Sequence, residues 1–158
     1  RIRAVKINVI SPGKIKDKWL KDGIAEYQKR ISRFCTLEFI EVNEVPDSVP
    51  VDEALKREGE AILARVKKGD VLWAMDLGGE IVTSEKLSEY LMSDIEKGGG
   101  TLVIAIGGSN GLSPEVRKRS SRRIAFGNIT LTHLMTRLVL AEQLYRGFRI
   151  AHGEKYHK

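Results

Sequence analysis

The sequence has little of several residue types on which common functions depend. It contains one cysteine, Cys35, so an intrachain disulfide and a thiolate metal site are both excluded. We expect Cys35 to be a small core residue and the compartment to be the reducing cytoplasm. The three histidines have no cysteine or carboxylate at ligand spacing, so we expect no metal site. No apolar run reaches the ~18 residues of a membrane span and the N-terminus lacks a signal-peptide pattern, so we expect no membrane association.

Several motifs of nucleotide and acyl chemistry are also missing. Neither GxGxxG nor GxxxxGK[ST] occurs, which removes the usual support for a dinucleotide or triphosphate site. The serines lack the setting of a nucleophile elbow, so a Ser-His-Asp hydrolase is not supported either. A length of 158 residues with 42% hydrophobic content fits one domain that spans residues 1–158.

Basic residues are in excess, with a formal net charge of +6. Such an excess favours a polyanionic partner, because lysine and arginine displace counterions from phosphates. One crowded group is a candidate RNA-binding face and comprises Arg117, Lys118, Arg119, Arg122 and Arg123. A second group near the start comprises Lys14, Lys16, Lys18 and Lys21. An ordinary solvated helix surface explains either group equally well.

Strand and helix patterns alternate along the chain. Strands are predicted at residues 4–10, 37–42, 71–75 and 101–106, and a further short element at residues 124–131. Five helices are predicted: around Trp19 to Ile31, at residues 52–67, from Thr83 or Ser84 to the glycines at 98–100, after Ser113, and from Thr132 onward. In the first of them, Trp19 is expected on the shared apolar face. This alternation predicts an α/β fold with a mainly parallel sheet.

The segment IAIGGSNGLSP, residues 104–114, carries an apolar strand directly into glycines. Ligand sites of open α/β sheets lie beyond the carboxyl ends of the strands. Gly107 and Gly108 have no side chains, so an adenosine is expected to lie against their backbone. Two other segments follow strands in the same way, residues 75–79 and 126–131. Each of these loops taken alone is also explained as a tight turn.

Five separated segments together resemble one family. They are WAMDLGGE, IGGSNGLS, FGNITLTH, LAEQLYRGFRI and HGEKYHK, in that order. They are similar to the small bacterial SPOUT-class methyltransferases that modify N3 of a pseudouridine in large-subunit (23S) ribosomal RNA. The resemblance implies an α/β fold with a C-terminal trefoil knot, a homodimer, and S-adenosylmethionine bound in the knot region at roughly residues 101–149. Nothing in the hydrophobic periodicity indicates a knot.

The resemblance also implies positions for the cofactor contacts, which are Met75, Gly107, Phe126, Gly127, Asn128, Ile129, Thr130 and Leu131. Met75 stands where the family often has leucine, a change that conserves volume. Thr132 stands where the family frequently has proline, at the start of the last helix.

Methylation at N3 of a uracil-type base requires loss of a proton, so a basic or charge-stabilising group is expected beside it. The candidate catalytic residues are Tyr156, His157, Arg146 and Arg137, and His152 is a further candidate. Tyr156 would stack on the base, His157 would receive the proton, and an arginine would stabilise the imide anion. Residues 150–158 are expected to form a functional tail; the alternatives are a frayed terminus for Tyr156, His157 and Lys158 and ion pairs within the helix for the arginines.

The resemblance therefore implies a homodimeric enzyme that acts on ribosomal RNA within the ribosome. A chain of 158 residues offers little surface for both a cofactor and a folded RNA, so the tail of one subunit is a candidate to complete the other's site, and action within its own subunit is the alternative. Another SPOUT methyltransferase, acting on transfer RNA, is the first alternative. A ribosome-binding module without enzymatic activity is the second.

Overall fold

The computed structural model describes residues 5–97 and 100–158 and contains five strands and five helices in that part of the chain. In chain order they are β1 (Lys6–Pro12), α1 (Lys18–Ile31), β2 (Thr36–Val42), α2 (Val51–Leu63), β3 (Val71–Ile81), α3 (Ser84–Ile95), β4 (Leu102–Ile106), α4 (Pro114–Arg119), β5 (Arg122–Ala125) and α5 (His133–Ala151). The predicted alternation of strands and helices is thereby confirmed. Ala4, Gly98 and Gly99, which the sequence assigned to a strand and a helix end, lie outside the described residues.

All five strands pair in parallel, in the order β2-β1-β4-β3-β5. β4 lies in the middle and all of its residues are buried, because neighbouring strands flank it and helices cover both faces. The α/β class with a parallel sheet is confirmed. Strand exits that are far apart in sequence, after β3, β4 and β5, consequently meet at one edge of the sheet.

Alternate residues of each strand supply two separate cores. On one face Trp73 and Ile104 pack with the buried side of α5, which includes Leu140 and Leu144. The opposite face holds a cluster in which Leu72 and Val103 are joined by residues of α2 and α4. Successive side chains of a strand point to opposite faces, so Leu72 and Trp73 belong to different cores. The longest helix, α5, is thus fixed along the sheet beside the strand exits.

Three element boundaries differ from prediction for identifiable reasons. β1 continues to Pro12, and the chain turns only at Gly13, whose φ of +94° favours glycine. β3 continues to Ile81 through residues 76–79, predicted as a turn, with a register shift against β5 between Met75 and Glu80. Gly79 permits this pairing, since a Cβ there would lie 2.5 Å from the backbone of Arg123. α2 ends at Leu63, one turn before the predicted stop at residue 67.

Hydroxyl side chains cap three helices. Thr83, Ser113 and Thr132 accept hydrogen bonds from the backbone N–H groups of Lys86, Val116 and Met135 respectively. The caps predicted at Ser113 and near Thr83 are confirmed. Thr132, where the resembling family often has proline, caps α5 instead and so fixes where that helix begins.

A buried carboxylate joins β3, α3 and β5. Asp94 accepts hydrogen bonds from the indole of Trp73 at 2.7 Å and from Arg122 at 2.7 and 3.1 Å. Burial alone would raise the pKa of Asp94, but the hydrogen bonds from Arg122, Trp73 and Lys97 lower it below its ordinary value. The short edge strand β5 is therefore held in place by charge as well as by backbone pairing.

Within residues 5–97 and 100–158, none of the helices combines the length and the apolar composition that a membrane crossing requires.

Candidate functional site

A cavity of about 980 Å³ lies at the carboxyl edge of the sheet. Its walls come from the end of β3, the glycine segment after β4, the segment after β5, the first turn of α5 and the start of α1. Pockets of this size accommodate small organic ligands. The three strand-exit loops singled out from the sequence therefore do come together around one cavity.

Six of the eight predicted cofactor residues border this cavity, and they are Met75, Gly107, Phe126, Ile129, Thr130 and Leu131. Gly127 and Asn128 belong to the same segment but are not part of the cavity wall. The structure thus brings together residues from three separate segments of the chain, while their contact with a cofactor stays a prediction.

The glycine segment is shaped by its own packing more than by open space. A Cβ on Gly107 would lie 2.3 Å from the carbonyl oxygen of Gly111, and one on Gly108 would lie 3.2 Å from Oε1 of Glu58. Gly111 has a φ of +83° and donates its N–H to the carbonyl of Gly108 at 3.1 Å. That an adenosine lies against the backbone of Gly107 and Gly108 stays a prediction, and the structure adds that a side chain at either position would meet the chain itself. Those two glycines let the loop close on itself and on α2.

Large apolar side chains are exposed at the cavity mouth. Trp19 is 60% exposed, Ile129 is 80% exposed, and both line the cavity together with Leu77 and Leu131. The prediction that Trp19 shares the buried face of α1 is wrong. Its position in the first turn of that helix places it beyond the sheet, where nothing in the described chain covers it.

One corner of the cavity carries opposite charges. Asp76, directly after Met75, accepts hydrogen bonds on Oδ2 from Nε and Nη2 of Arg123 at 2.9 and 2.6 Å. Nε of Arg117 lies 3.3 Å from the same oxygen. Burial alone would raise the pKa of Asp76, but the hydrogen bonds from Arg123 and Gly78 and the charge of Arg117 lower it. The carboxylate is therefore ionised at neutral pH.

Most of the predicted RNA-binding arginines have partners within the chain. Arg122 pairs with Asp94 and stacks over the ring of Tyr90, with its guanidinium carbon 3.7 Å from the ring centroid. Arg119 donates to the backbone carbonyls of Lys67 and Asp70. Lys118 makes no ion pair among the described residues. An RNA contact by this group stays a prediction, but these contacts favour structural roles for Arg119, Arg122 and Arg123.

Arg137 is only 1% exposed and has a different role from the one predicted. Its Nη2 donates to the hydroxyl of Ser11 and to the carbonyls of Pro12 and Gly13, at 2.8 to 3.2 Å. Burial lowers the pKa of Arg137, while the charge of Glu41 opposes that change. A guanidinium buried and used in this way is poorly placed to serve a substrate. We interpret Arg137 as a tether between the end of β1 and the start of α5.

The C-terminal segment is packed, so its interpretation as a frayed tail is wrong. The hydroxyl of Tyr156 donates to Glu142 at 2.8 Å, and Arg146 pairs with the same carboxylate at 2.7 Å. Nδ1 of His157 lies 3.2 Å from Nη1 of Arg146, and its Nε2 lies 3.3 Å from Glu85. The pair between Arg146 and Glu142 is also the intrahelical ion pair that the sequence left open. Three of the four predicted catalytic residues therefore form one cluster.

Proton positions in this cluster follow from the donors. A guanidinium only donates, so a hydrogen bond between Arg146 and Nδ1 of His157 requires this nitrogen to accept, and Nε2 is the nitrogen that faces Glu85. Burial and the hydrogen bond to Glu142 raise the pKa of Tyr156 to about 12, so its phenol is neutral under physiological conditions. His152 lies elsewhere, against Phe34 and the carbonyl of Phe148, which leaves it a packing role.

The tail cluster is held on α5 beyond the part of that helix that lines the cavity. Met135 lines the cavity, whereas Glu142 and Arg146, in the middle and second half of the helix, hold the tail. At about 1.5 Å per residue these two residues lie roughly 10 and 16 Å farther along the helix axis than Met135. Within one subunit, none of Tyr156, His157 and Arg146 lines the cavity.

Comparison with known proteins identifies the family. A family model described as "Predicted SPOUT methyltransferase" matches residues 5–157. The chain belongs to this family. Ribosomal RNA large subunit methyltransferase H of Lactococcus lactis subsp. cremoris (strain SK11) is 46% identical, with 98% of this chain and 100% of the relative covered. The protein of the same name from Streptococcus sanguinis (strain SK36) is 42% identical over the same shares.

A solved structure supports the fold of this SPOUT methyltransferase. A probable methylase family protein from Haemophilus influenzae Rd KW20 superposes with a TM-score of 0.51 at 12% identity, over 94% of this chain and 67% of that one. At this identity the likeness concerns the fold alone. The resemblance stated from the five sequence segments is confirmed by the family model and by the relatives.

Sequence analysis missed the roles of four residues of this methyltransferase's site. Asp76 and Arg117 form the charged corner, Trp19 lines the mouth, and Glu85 faces His157. The position of Asp76, a charged residue beside Met75 at a strand exit, was a signal that pointed to its role. Trp19 and Glu85 had no such signal, because their positions depend on how α1 and α3 pack on α5.

Proposed function

We propose that this SPOUT methyltransferase transfers a methyl group from S-adenosylmethionine to N3 of a pseudouridine in large-subunit ribosomal RNA. The observation that carries the proposal is the 980 Å³ cavity, which gathers six of the eight expected cofactor positions at one sheet edge. Relatives that are 42–46% identical over nearly their full length are named as ribosomal RNA large subunit methyltransferases. Because ribosomes lie in the cytoplasm, the proposed substrate places the reaction there.

The cavity fits S-adenosylmethionine chemically. Met75, Ile106 and Phe126 offer apolar walls to a purine, and the backbone of residues 126–131 offers hydrogen-bonding groups. Asp76 and Arg117 supply charge at one corner. The cofactor, when bound, supplies an activated methyl group. The residues around it bind, orient and shield that group, which is the main part of catalysis for such a transfer.

The tail cluster supplies the groups that the base requires. Tyr156 presents a neutral ring for stacking, and Arg146 carries a fixed positive charge suited to a developing imide anion. His157 can accept the N3 proton on Nδ1 once Arg146 turns from that nitrogen to the anion. Glu142 holds both Arg146 and Tyr156, so it positions the cluster.

We further infer that the active unit is a homodimer in which the tail of one subunit completes the cavity of the other. Two observations support this: the residues that hold the tail, Glu142 and Arg146, lie about two and three turns beyond the cavity-lining Met135, and the cavity mouth exposes Trp19, Leu77 and Ile129. The chain then acts as one domain, residues 1–158, with a knotted cofactor region at roughly 101–149 and a functional tail at 150–158.

Two measurements test the proposal. Calorimetric titration with S-adenosylmethionine separates an enzyme from a binding module without activity, which would show no heat of binding. Mass spectrometry of ribosomal and transfer RNA from a deletion strain then identifies the target. We expect one methylated pseudouridine to be lost from large-subunit RNA and restored by the wild-type gene. Loss of a methyl group from transfer RNA alone would replace this proposal with the alternative SPOUT activity.

A further inference from the structure

Two oppositely charged side chains share one corner of the cavity, and each retains unused hydrogen-bonding capacity. Oδ2 of Asp76 is occupied by Arg123, but Oδ1 receives only the long 3.3 Å contact from the N–H of Gly78. The side chain of Arg117 is 39% exposed, and no hydrogen bond among the described residues uses its guanidinium. The pair therefore presents one free acceptor and several free donors to the cavity.

The remainder of the described cavity wall offers no second side chain with a permanent positive charge. The other ionisable residues that line it are Asp17 and His133. Burial and the nearby charge of Arg137 lower the pKa of His133, so this imidazole is neutral at neutral pH. Among the described lining residues, Arg117 is thus the single group with a permanent positive charge.

Arg123 fixes the orientation of the Asp76 carboxylate. It neutralises Asp76 from the surface side and holds the carboxylate in a fixed orientation through two hydrogen bonds. Arg117 approaches Asp76 through Nε alone, at 3.3 Å, and neither of its terminal Nη nitrogens hydrogen-bonds to a described residue, so these donors remain available for another anion. A ligand that carries an ammonium and a carboxylate on the same carbon atom complements such a corner.

We propose that Asp76 and Arg117 bind the amino-acid end of S-adenosylmethionine, with Asp76 accepting from the α-ammonium and Arg117 donating to the α-carboxylate. The inference rests on the proposed function for the identity of the ligand. It adds two binding residues to the expected set, and it reassigns Arg117 from RNA binding to the cofactor.

Three ligands test the proposal by calorimetry without any methyl transfer. S-adenosylmethionine carries both charged groups, decarboxylated S-adenosylmethionine keeps only the ammonium, and methylthioadenosine lacks both. Replacing Arg117→Met should weaken binding of S-adenosylmethionine by about 10- to 100-fold and alter binding of the other two by less than about twofold. Asp76→Asn should weaken binding of the first two ligands and spare methylthioadenosine.

Lys118→Met is the matched control, because it removes the same charge from the next residue of α4, outside the cavity wall. It should leave binding of all three ligands unchanged. Arg117→Lys should retain part of the affinity for S-adenosylmethionine, since the charge remains while the fork of donors is removed.

Two results would overturn the assignment while leaving the proposed function intact. One is unchanged binding of S-adenosylmethionine by Arg117→Met. The other is an equal loss for methylthioadenosine, which would mean that the substitution disturbs the cavity as a whole. If the wild-type protein binds none of the three ligands, the proposed cofactor fails, and this inference fails with it.

Discussion

Removal of Tyr156, His157 and Lys158 should separate the tail's catalytic role from its structural one. The truncation abolishes the interactions of Tyr156 with Glu142 and of His157 with Arg146 and Glu85. Partly exposed hydrogen bonds contribute about 0.5–1.5 kcal/mol each, so the loss of three should lower the free energy of unfolding by about 1.5–4.5 kcal/mol. Affinity for S-adenosylmethionine should stay near wild type, because none of the three residues lines the cavity. Methyl transfer to ribosomes should fall by on the order of a hundredfold or more.

Mixing subunits then tests whether the tail acts across a dimer. The partner carries Gly107→Val, which would drive a side chain into the backbone of Gly111 and so destroy the glycine segment of its cavity. In a mixed dimer, the intact tail of the Gly107→Val subunit meets the intact cavity of the truncated subunit. Random exchange makes about half of the dimers mixed, each with one complete site of two, so about a quarter of wild-type activity should return.

Transfer of labelled methyl groups to ribosomes from the deletion strain is the assay, with each variant alone as the baseline. Melting curves are needed beside it, because Gly107→Val perturbs a packed loop and has to remain folded to exchange subunits. If a folded mixture stays as inactive as its components, the tail serves its own subunit. If the truncated protein alone matches wild type, the tail has no catalytic part.

Three further predictions concern single groups. Asp94→Asn should lower the free energy of unfolding by about 2–4 kcal/mol in urea denaturation, while the exposed Glu96→Gln should change it little. The pKa of Asp94 in the folded state lies below 3.8, its ordinary value. The stabilisation by this carboxylate should therefore be present at neutral pH and disappear only as the pH falls through the folded-state pKa. Tyr156→Phe should lower the rate of methyl transfer without changing the shape of its pH profile below pH 10, because a phenol with a pKa of about 12 does not ionise there. If the wild-type rate declines at alkaline pH and the variant loses that decline, the prediction is contradicted. Neutralising Lys14, Lys16 and Lys21 should weaken the salt dependence of ribosome binding. The slope of log affinity against log salt concentration should fall by about 0.7–0.9 for each phosphate that the protein no longer binds. The double substitution Arg122→Gln with Arg123→Gln should reduce this slope less.

Local sequence patterns predicted the elements that depend on local physics. The apolar run of β4 indicated a central strand, and Ser113 indicated the start of α4, because burial periodicity and capping act within a few residues. The cofactor positions came from the resemblance and not from periodicity. Their convergence on one cavity depends on the strand order, which brings β3, β4 and β5 side by side.

The arginine cluster shows where sequence reasoning fails. Arg122 and Arg123 are adjacent in β5, so their side chains point to opposite faces of the sheet. One meets Asp94 on α3 and the other meets Asp76 on β3. The sequence reveals five basic residues within seven positions, but not the carboxylates that pair with three of them. Long-range ion pairs of this kind leave no periodic signal.

The placement of functional groups along α5 favours a shared active site on physical grounds. Its 19 residues span about 28 Å, with the cavity at its first turn and the tail cluster held by Glu142 and Arg146, in its middle and second half. Arg137 fixes the beginning of the helix to β1, and Ser88 donates to the carbonyl of Gly147 near its end, so the helix cannot slide to close that distance. A twofold axis that sets two such helices antiparallel would bring the tail of one beside the cavity of the other. The groups that one subunit keeps apart would then meet.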